Sequence, residues 1–195
     1  GTGQLLDRRF MDATTARLEF GARRGRATFT LGAEMMDHDS SYEYRAAAIF
    51  DPLLAAALGR PATLTRDLVL EAGGQSWGAY ASALIVMTPQ VVVDLGVRRD
   101  EQRFRPRFRA SQGSPRVGIE YTPRADTTLR LSWGQLSQPQ RPDELQATDG
   151  EREFHAVQTA TQTVGAIEHH LSNDVSLRIE AFDKRMGSVQ PGYEN

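Results

Sequence analysis

Apolar and polar side chains alternate one by one through most of this sequence. In residues 16–22 the apolar side chains occupy one face of an extended chain, whereas Arg17 and Glu19 occupy the other. Residues 27–35 repeat the pattern after a turn that contains Gly25. A period of two is that of a β-strand, because successive side chains of a strand point to opposite faces. The two runs therefore predict a β-hairpin.

Three more strand–turn–strand units follow, so eight strands are predicted. The other six strands cover residues 77–86, 91–98, 115–121, 127–133, 161–169 and 175–184. Turns near residues 24, 88, 124 and 173 are short, whereas the links 36–75, 99–114 and 135–160 are long and polar. Short turns on one rim and long loops on the other are typical of an outer-membrane β-barrel, and runs of about 8 to 11 residues can cross its apolar band.

Segment 36–75 has two interpretations. Residues 42–48 and 64–72 have the composition of further strands, and residues 52–58 suggest a short helical turn before Gly59. Either two extra barrel strands or one outer loop containing its own ribbon fits, and we favour the loop because the four hairpins already alternate in direction. The predicted fold is all-β: an up-and-down antiparallel transmembrane β-barrel, here an incomplete open curved sheet of about 8–10 strands.

Composition excludes several classes of protein. The longest apolar run, residues 79–87, is interrupted by Ser82 and is too short for a transmembrane helix. There is no cysteine, and the net charge of -2 comes from interspersed acidic and basic residues, so nothing suggests a nucleic-acid partner. Neither an initiator Met nor a secretory signal begins the chain. We interpret residues 1–195 as a partial barrel domain, without plug domain, signal peptide or C-terminal closing strand.

The alternation assigns a side chain to each face. Residues predicted to face lipid are Leu18, Phe20, Phe29, Leu31, Val91, Val93, Leu95, Val117, Ile119, Leu129, Leu131, Val175, Leu177 and Ile179. Residues predicted to face the lumen are Arg17, Glu19, Glu34, Asp94, Arg98, Glu120, Arg130, Arg178 and Glu180. Aromatic girdles at the membrane interfaces are predicted from Trp77, Tyr121, Trp133 and Phe182. A soluble antiparallel sheet with one wet face would show the same alternation.

The second half of the chain resembles a TonB-dependent receptor. Residues 77–80, 88–89 and 93–100 are similar to the family's strand, periplasmic turn and strand ending in Gly-x-Arg-x-Asp. Further resemblance lies in the hairpin of residues 114–121 and 127–134, in the loop entry formed by residues 138–139 and 142–145, and in the next strand pair, residues 163–169 and 176–182. The resemblance covers residues 75–195, and residues 14–35 more loosely.

The resemblance implies a function in transport. A receptor of this family lies in the outer membrane of a Gram-negative bacterium, among lipid and lipopolysaccharide, and imports a scarce solute such as a siderophore or other metal chelate. It is driven by the TonB complex through its plug domain and performs no covalent chemistry, so the protein is expected to be no enzyme and to carry no cofactor. A passive outer-membrane porin and a soluble β-sandwich binding module are the alternatives.

Titratable residues that could form a metal or catalytic site lie mostly in the predicted loops. His169 and His170 are strand neighbours that point to opposite faces, so they cannot chelate one ion together. His38 has Asp37 and Asp39 beside it. His155 has Glu153 nearby, and both histidines are expected to be solvated. No metal site is predicted.

Catalytic and phosphate-binding motifs are not found either. Asp143 and Glu144 could act as acid and base, but nothing in the sequence separates their pKa values. Serine, histidine and aspartate are present without a nucleophile-elbow motif. Gly32 and the pair Gly73–Gly74 lack the spacing of a phosphate loop.

A basic cluster lies in and around link 99–114. It consists of Arg98, Arg99, Arg103, Arg105, Arg107 and Arg109. Guanidinium groups bind phosphate and carboxylate well, so lipopolysaccharide phosphates or an anionic ligand could bind here. A solvated loop is the simpler interpretation.

Overall fold

The computed structural model describes residues 2–105, 107–145, 151 and 153–188. They form eight strands, one short helix and one 3₁₀ turn. The strands are β1 (Thr2–Arg24), β2 (Ala27–Ile49), β3 (Thr63–Thr88), β4 (Val91–Arg105), β5 (Phe108–Arg124), β6 (Thr127–Gln138), β7 (Gln158–His170) and β8 (Ser176–Gly187). Helix α1 (Pro52–Ala57) follows β2, and the 3₁₀ turn (Pro142–Glu144) follows β6.

The strands form a single antiparallel sheet in which spatial order equals sequence order. Each strand therefore pairs with the one before it and the one after it, which confirms the predicted up-and-down topology. No ladder joins β8 to β1 within the described ranges, so the sheet is open. Eight strands, and not ten, are present there. Residues 189–195, where no closing strand was expected, lie outside the described residues.

The predicted short turns are confirmed on one rim, and two of the three predicted long connections are confirmed on the other. On one rim the strands are joined by turns at residues 25–26, 89–90 and 125–126 and by residues 171–175. Gly25 has a φ of 59°, a left-handed conformation that glycine adopts without a steric penalty. On the opposite rim, residues 50–62 and 139–157 are long connections, whereas only two residues separate β4 from β5.

The strands extend far beyond the predicted runs. They reach 26 residues in β3, because β2 and β3 remain paired from Ala27 and Ile85 out to Ile49 and Thr63. Residues 42–48 and 64–72 are thus the outer ends of two barrel strands that pair with each other, which confirms the ribbon, and α1 confirms the helical turn. The prediction of a loop over residues 99–114 is wrong, because β4 and β5 continue as a ribbon through most of it.

The register brings the predicted lipid-facing residues of neighbouring strands together. Phe20 pairs with Leu31, Leu95 with Val117, and Ile119 with Leu131. We call this surface the apolar belt; it contains Leu18, Phe20, Phe29, Leu31, Leu95, Val117, Ile119, Leu131 and Ile179. Its side chains are exposed, with Leu18 75% and Leu131 55% accessible. Because no second layer covers the belt in the described part of the chain, a two-layer β-sandwich is not the fold.

Aromatic residues bound the apolar belt at both ends. Trp77 and Trp133 are on the belt face, and the next residues on that face, Gln75 and Gln135, are polar. Tyr121 lies on the same face at the opposite end, opposite Leu129. The prediction of Phe182 as a girdle residue is wrong. Phe182 pairs with Val164 on the other face, because it is two residues from Glu180 and a strand repeats every two residues.

The face opposite the belt is the polar face, and it carries the residues that were predicted to face the lumen. Most of its buried side chains lie beyond the belt, on the outer halves of β2, β3 and β4, where Tyr42, Leu68 and Phe104 are each less than 9% accessible. Among the described residues, no helix has the length and hydropathy needed to cross a bilayer.

Placing a charge on the apolar belt tests which face meets hydrocarbon. Leu131→Arg should lower the free energy of unfolding in lipid vesicles by about 2–4 kcal/mol, because the guanidinium would lie in the apolar band. Its neighbour Ser132 faces the opposite way, so Ser132→Arg should change stability by less than about 1 kcal/mol. Urea titrations followed by tryptophan fluorescence measure both values. Equal losses for the two variants would contradict the assignment of faces.

Candidate functional site

The polar face carries a network of charges centred on Tyr80. The Tyr80 hydroxyl accepts a hydrogen bond from Arg17 at 2.9 Å and donates one to Glu19. The guanidinium groups of Arg17 and Arg98 lie 5.7 and 5.9 Å from the centre of the Tyr80 ring, within range of a cation–π interaction. Gly32 lies beneath the ring, and a Cβ at that position would be 2.2 Å from it. Gly32 therefore makes room for Tyr80 to reach across β2 to β1.

Arg98 connects this network to the outer part of the wall. Its guanidinium donates to Asp100 on its own strand at 2.9 Å and to Glu34 on β2. Closer to the short turns, Arg130 binds Glu120 at 2.8 Å and Glu168 at 3.1 Å. Because carboxylates face these arginines from neighbouring strands, the polar face has no dominant charge at the level of the belt.

Beyond the belt, the connection between β6 and β7 folds over the polar face. Tyr42, Leu68, Ala72 and Leu145 form a buried cluster, and Phe154 packs against it. The Tyr42 hydroxyl donates a 2.6 Å hydrogen bond to the carbonyl oxygen of Pro142. We call the described part of this connection, residues 139–145, 151 and 153–157, the covering segment. It buries residues that would otherwise face the lumen.

Aromatic side chains hold the other end of the covering segment. Phe154 stands 5.1 Å from Phe104 and 5.3 Å from Phe108, measured between ring centres. The imidazole of His38 meets Phe104 edge-on at 6.2 Å. His38 lies beyond the end of the belt, and burial lowers its pKa below the ordinary value, which favours the neutral imidazole.

Two buried polar residues, Gln140 and Glu151, interact with the partly accessible His155 within the covering segment. The amide of Gln140 donates to Glu151 at 3.2 Å and accepts a hydrogen bond from the backbone N–H of His155 at 2.9 Å. Nε2 of His155 lies 2.5 Å from Oε1 of Glu151. Gln140 and Glu151 are 3% and 7% accessible. Such contacts between polar groups can fix the conformation of a connection that would otherwise have little regular structure.

A cavity of about 130 Å³ lies between the covering segment and the wall. Side chains that line it include His38, Arg98, Asp100, Gln102, Phe104 and Arg141. Gln102 is 3% accessible, and its Oε1 atom has no hydrogen-bond partner among the described residues. The cavity thus combines guanidinium donors, a carboxylate, an unused amide acceptor and aromatic rings. This combination suits non-covalent binding of a polar group.

The structure corrects two predictions for the histidines. His38 was expected to be solvated, but it is 5% accessible because β2 continues outward beneath the covering segment. Asp37 and Asp39 project from the other face of β2 and do not join it. His155 is only partly accessible, and its carboxylate partner is the buried Glu151, not the exposed Glu153.

The other candidate residues have local structural roles. His169 forms a 2.9 Å hydrogen bond with Thr127, and His170 lies 3.8 Å from Glu168. Asp143 and Glu144 both bind Arg141, at 3.0 and 3.2 Å. No group of three or more potential metal ligands occurs within the described ranges.

Gly73 and Gly74, which lack the spacing of a phosphate loop, allow neighbouring strands to approach closely. A Cβ at Gly73 would be 2.5 Å from the carbonyl oxygen of His38, and one at Gly74 would be 2.1 Å from that of Arg103. Gly74 also has a φ of 142°. The pair therefore allows β2, β3 and β4 to remain close where the ribbon extends beyond the belt.

The basic cluster divides between the two faces. Arg98 belongs to the polar face, whereas Arg99, Arg103 and Arg109 lie on the face of the apolar belt, since Arg103 pairs with Arg109 and Leu95 with Val117 in one register. Arg103 and Arg109 both bind Oε1 of Glu101, at 2.8 and 3.0 Å. The cluster is thus part of a regular ribbon.

The model of the family "TonB dependent receptor-like, beta-barrel" matches residues 2–187. The chain belongs to this family. Its members are outer-membrane proteins of Gram-negative bacteria and work with TonB. A sheet with one apolar and one charged face has the arrangement of an outer-membrane barrel wall, in which alternate side chains face lipid and lumen. No curated protein matches the sequence.

Solved structures of TonB-dependent receptors have the same fold. The chain matches the copper transporter OprC over 93% of its own length and 31% of that protein, with 12% identity and a TM-score of 0.69. The ferripyoverdine receptor of the outer membrane of Pseudomonas aeruginosa matches 94% of this chain over 26% of its own length, with 12% identity and a TM-score of 0.63. BauA, the ferric preacinetobactin receptor of Acinetobacter baumannii, matches 93% of this chain over 29% of its own length, with 13% identity and a TM-score of 0.56. The chain thus spans about a quarter to a third of these receptors.

Removing the Tyr42 hydroxyl tests what holds the covering segment. Tyr42→Phe would leave the fully buried carbonyl of Pro142 without its partner, so amide exchange in residues 140–145 should be about 2 to 10 times faster, as expected for a hydrogen bond of about 0.5–1.5 kcal/mol. Tyr44→Phe, two residues along the same face, is the control and should leave exchange unchanged. Hydrogen exchange measured by mass spectrometry compares the two. Equal exchange in both variants would show that the hydroxyl does not hold the segment.

Proposed function

We propose that this chain forms part of the barrel wall and outer loops of a TonB-dependent receptor that imports a scarce solute, such as a siderophore or other metal chelate, across the outer membrane. The observation that carries the proposal is the match of the receptor family's barrel model to residues 2–187 of a sheet with the required two faces. The copper transporter, the ferripyoverdine receptor and the ferric preacinetobactin receptor are structural neighbours, which supports a metal-containing solute.

The chain is proposed to be a partial barrel domain. Barrels of outer-membrane transporters have about 22 strands, so eight strands need others beside them. The outer edge of β1 and the outer edge of β8 have no partner strand within the described ranges. We infer that further strands of the receptor pair with both edges, because unpaired backbone groups cannot face lipid.

In this proposal the chain performs no covalent chemistry and needs no cofactor of its own. Its apolar belt faces lipid and its polar face lines the lumen, where a plug domain coupled to TonB would lie. The covering segment narrows the outer entrance and presents the cavity beside Gln102 to an arriving solute. The unused acceptor of Gln102 supports this role, because a buried acceptor without a partner costs about 1–3 kcal/mol unless a ligand or water satisfies it.

Transport is tested with the complete receptor in a Gram-negative strain starved of iron by 2,2′-dipyridyl. One ferric catecholate, one ferric hydroxamate and one ferric carboxylate are supplied in turn. At least one should restore growth, and only when both the receptor and TonB are present, because import by this family is driven through TonB. Growth restored without TonB would indicate a passive porin. Failure of all three chelates would reject the metal-chelate proposal.

A substitution at Gln102 tests whether the cavity takes part in recognising the solute. Gln102→Leu should raise the concentration of the active chelate needed for half-maximal uptake by about 5-fold or more, because it removes a buried acceptor at nearly constant volume. Gln75→Leu makes the same change on the outer face of the neighbouring strand and should have no effect. Uptake of the radioactive iron chelate measures both. If the two variants behave alike, the cavity has no role in recognising the solute.

A further inference from the structure

A basic surface lies immediately beyond the apolar belt, on the side of the sheet that faces away from the lumen. Along β4 the belt face carries Val91, Val93, Leu95 and Val97 and then changes to Arg99, Glu101 and Arg103. Arg109 of β5 is the cross-strand neighbour of Arg103. The change from apolar to basic therefore occurs within one repeat of the strand, about 7 Å along it.

Trp77 marks this change as a membrane interface. It lies on the same face and pairs with Glu101 in the adjacent strand. Tryptophan is enriched where hydrocarbon gives way to polar headgroups. Arg99, one repeat beyond Val97, is therefore level with the headgroups of the outer leaflet, and Arg103 lies about 13 Å farther along the strand.

The side chains of this surface are arranged to bind anions. Arg103 and Arg109 already converge on one oxygen of Glu101, at 2.8 and 3.0 Å, so two positive charges share one negative charge. Their side chains remain 59% and 69% accessible, which leaves N–H donors free to face outward. Arg99 is exposed and forms no ion pair with any described residue. Arg105, in contrast, is balanced by Asp39 at 2.8 Å and is left out of the site.

We propose that Arg99, Arg103 and Arg109 form a binding site for the phosphate groups of lipopolysaccharide in the outer leaflet. The inference rests on the proposed outer-membrane placement of the chain. A soluble anion on its way through the receptor would meet the polar face, and these arginines lie on the opposite one. Guanidinium groups match phosphate because their planar N–H pairs donate two parallel hydrogen bonds to its oxygens.

The first experiment compares lipopolysaccharide retained by the complete receptor after purification in detergent. Arg99→Gln, Arg103→Gln and Arg109→Gln are combined in one variant, and the control combines Arg23→Gln, Arg24→Gln and Arg26→Gln at the opposite rim. Mass spectrometry of the lipid A released from each protein should show at least about 5-fold less in the first variant, because charge-assisted bonds are lost, and the parental amount in the control. Equal retention in the two variants would overturn the proposal.

A second measurement identifies the bound group and needs no variant. Parental receptor stripped of lipid is titrated with purified lipopolysaccharide, with lipopolysaccharide treated with phosphatase, and with inorganic phosphate as a competitor. We expect binding to weaken after phosphatase treatment and to resist inorganic phosphate. Unchanged binding after phosphatase treatment, or complete competition by inorganic phosphate, would overturn the proposal.

The triple arginine variant could fail to fold, which the absence of a compact, heat-modifiable band in electrophoresis would reveal. The titration of the parental receptor then tests the lipopolysaccharide site by itself. Failure of the lipid site would leave TonB-dependent uptake of the chelate intact. Failure of the proposed transport would leave lipopolysaccharide binding intact. The two inferences are therefore tested separately.

Discussion

Backbone hydrogen bonds between neighbouring antiparallel strands are the interaction on which the rest of this structure depends. Seven ladders connect the eight described strands in sequence order, and each of β2 to β7 pairs its backbone on both edges. Such a sheet can meet lipid because its polar backbone groups are paired between strands. The side chains then need only alternate, since hydrophobic packing against a second layer is not required.

This arrangement divides the wall into two zones with different physics. At the belt, one face is apolar and exposed, and the other carries arginine–carboxylate networks around Tyr80 and Arg130. Beyond the belt the same strands continue, but the apolar side chains change faces: Tyr42, Leu68 and Phe104 lie on the polar face, under the covering segment. Since that zone meets water, the stabilising term there is burial between two protein layers.

The sequence predicts the belt well and the outer zone poorly, for the same reason. Lipid on one face enforces strict alternation, so Leu95, Ile119 and Leu131 could be assigned to that face from their spacing alone. In residues 2–15 adjacent apolar pairs such as Leu5–Leu6 and Phe10–Met11 break the alternation, so the first half of β1 was not predicted. Both faces of that segment are largely exposed, and no constraint acts on their polarity.

The candidate site illustrates the same limit. Its key contacts join residues far apart in sequence, such as Tyr42 with Pro142 and Phe104 with Phe154, so no local motif could reveal them. The isolated His38 gave no signal beyond its neighbours Asp37 and Asp39, which point the other way. One feature of the sequence does indicate the site. His38, Tyr42 and Tyr44 are separated by even numbers of residues, so a strand that continues past Met35 would place all three cyclic side chains on one face. Because a ribbon can bury one face only when something folds over it, that stripe implies a covering layer and therefore the position of the covering segment.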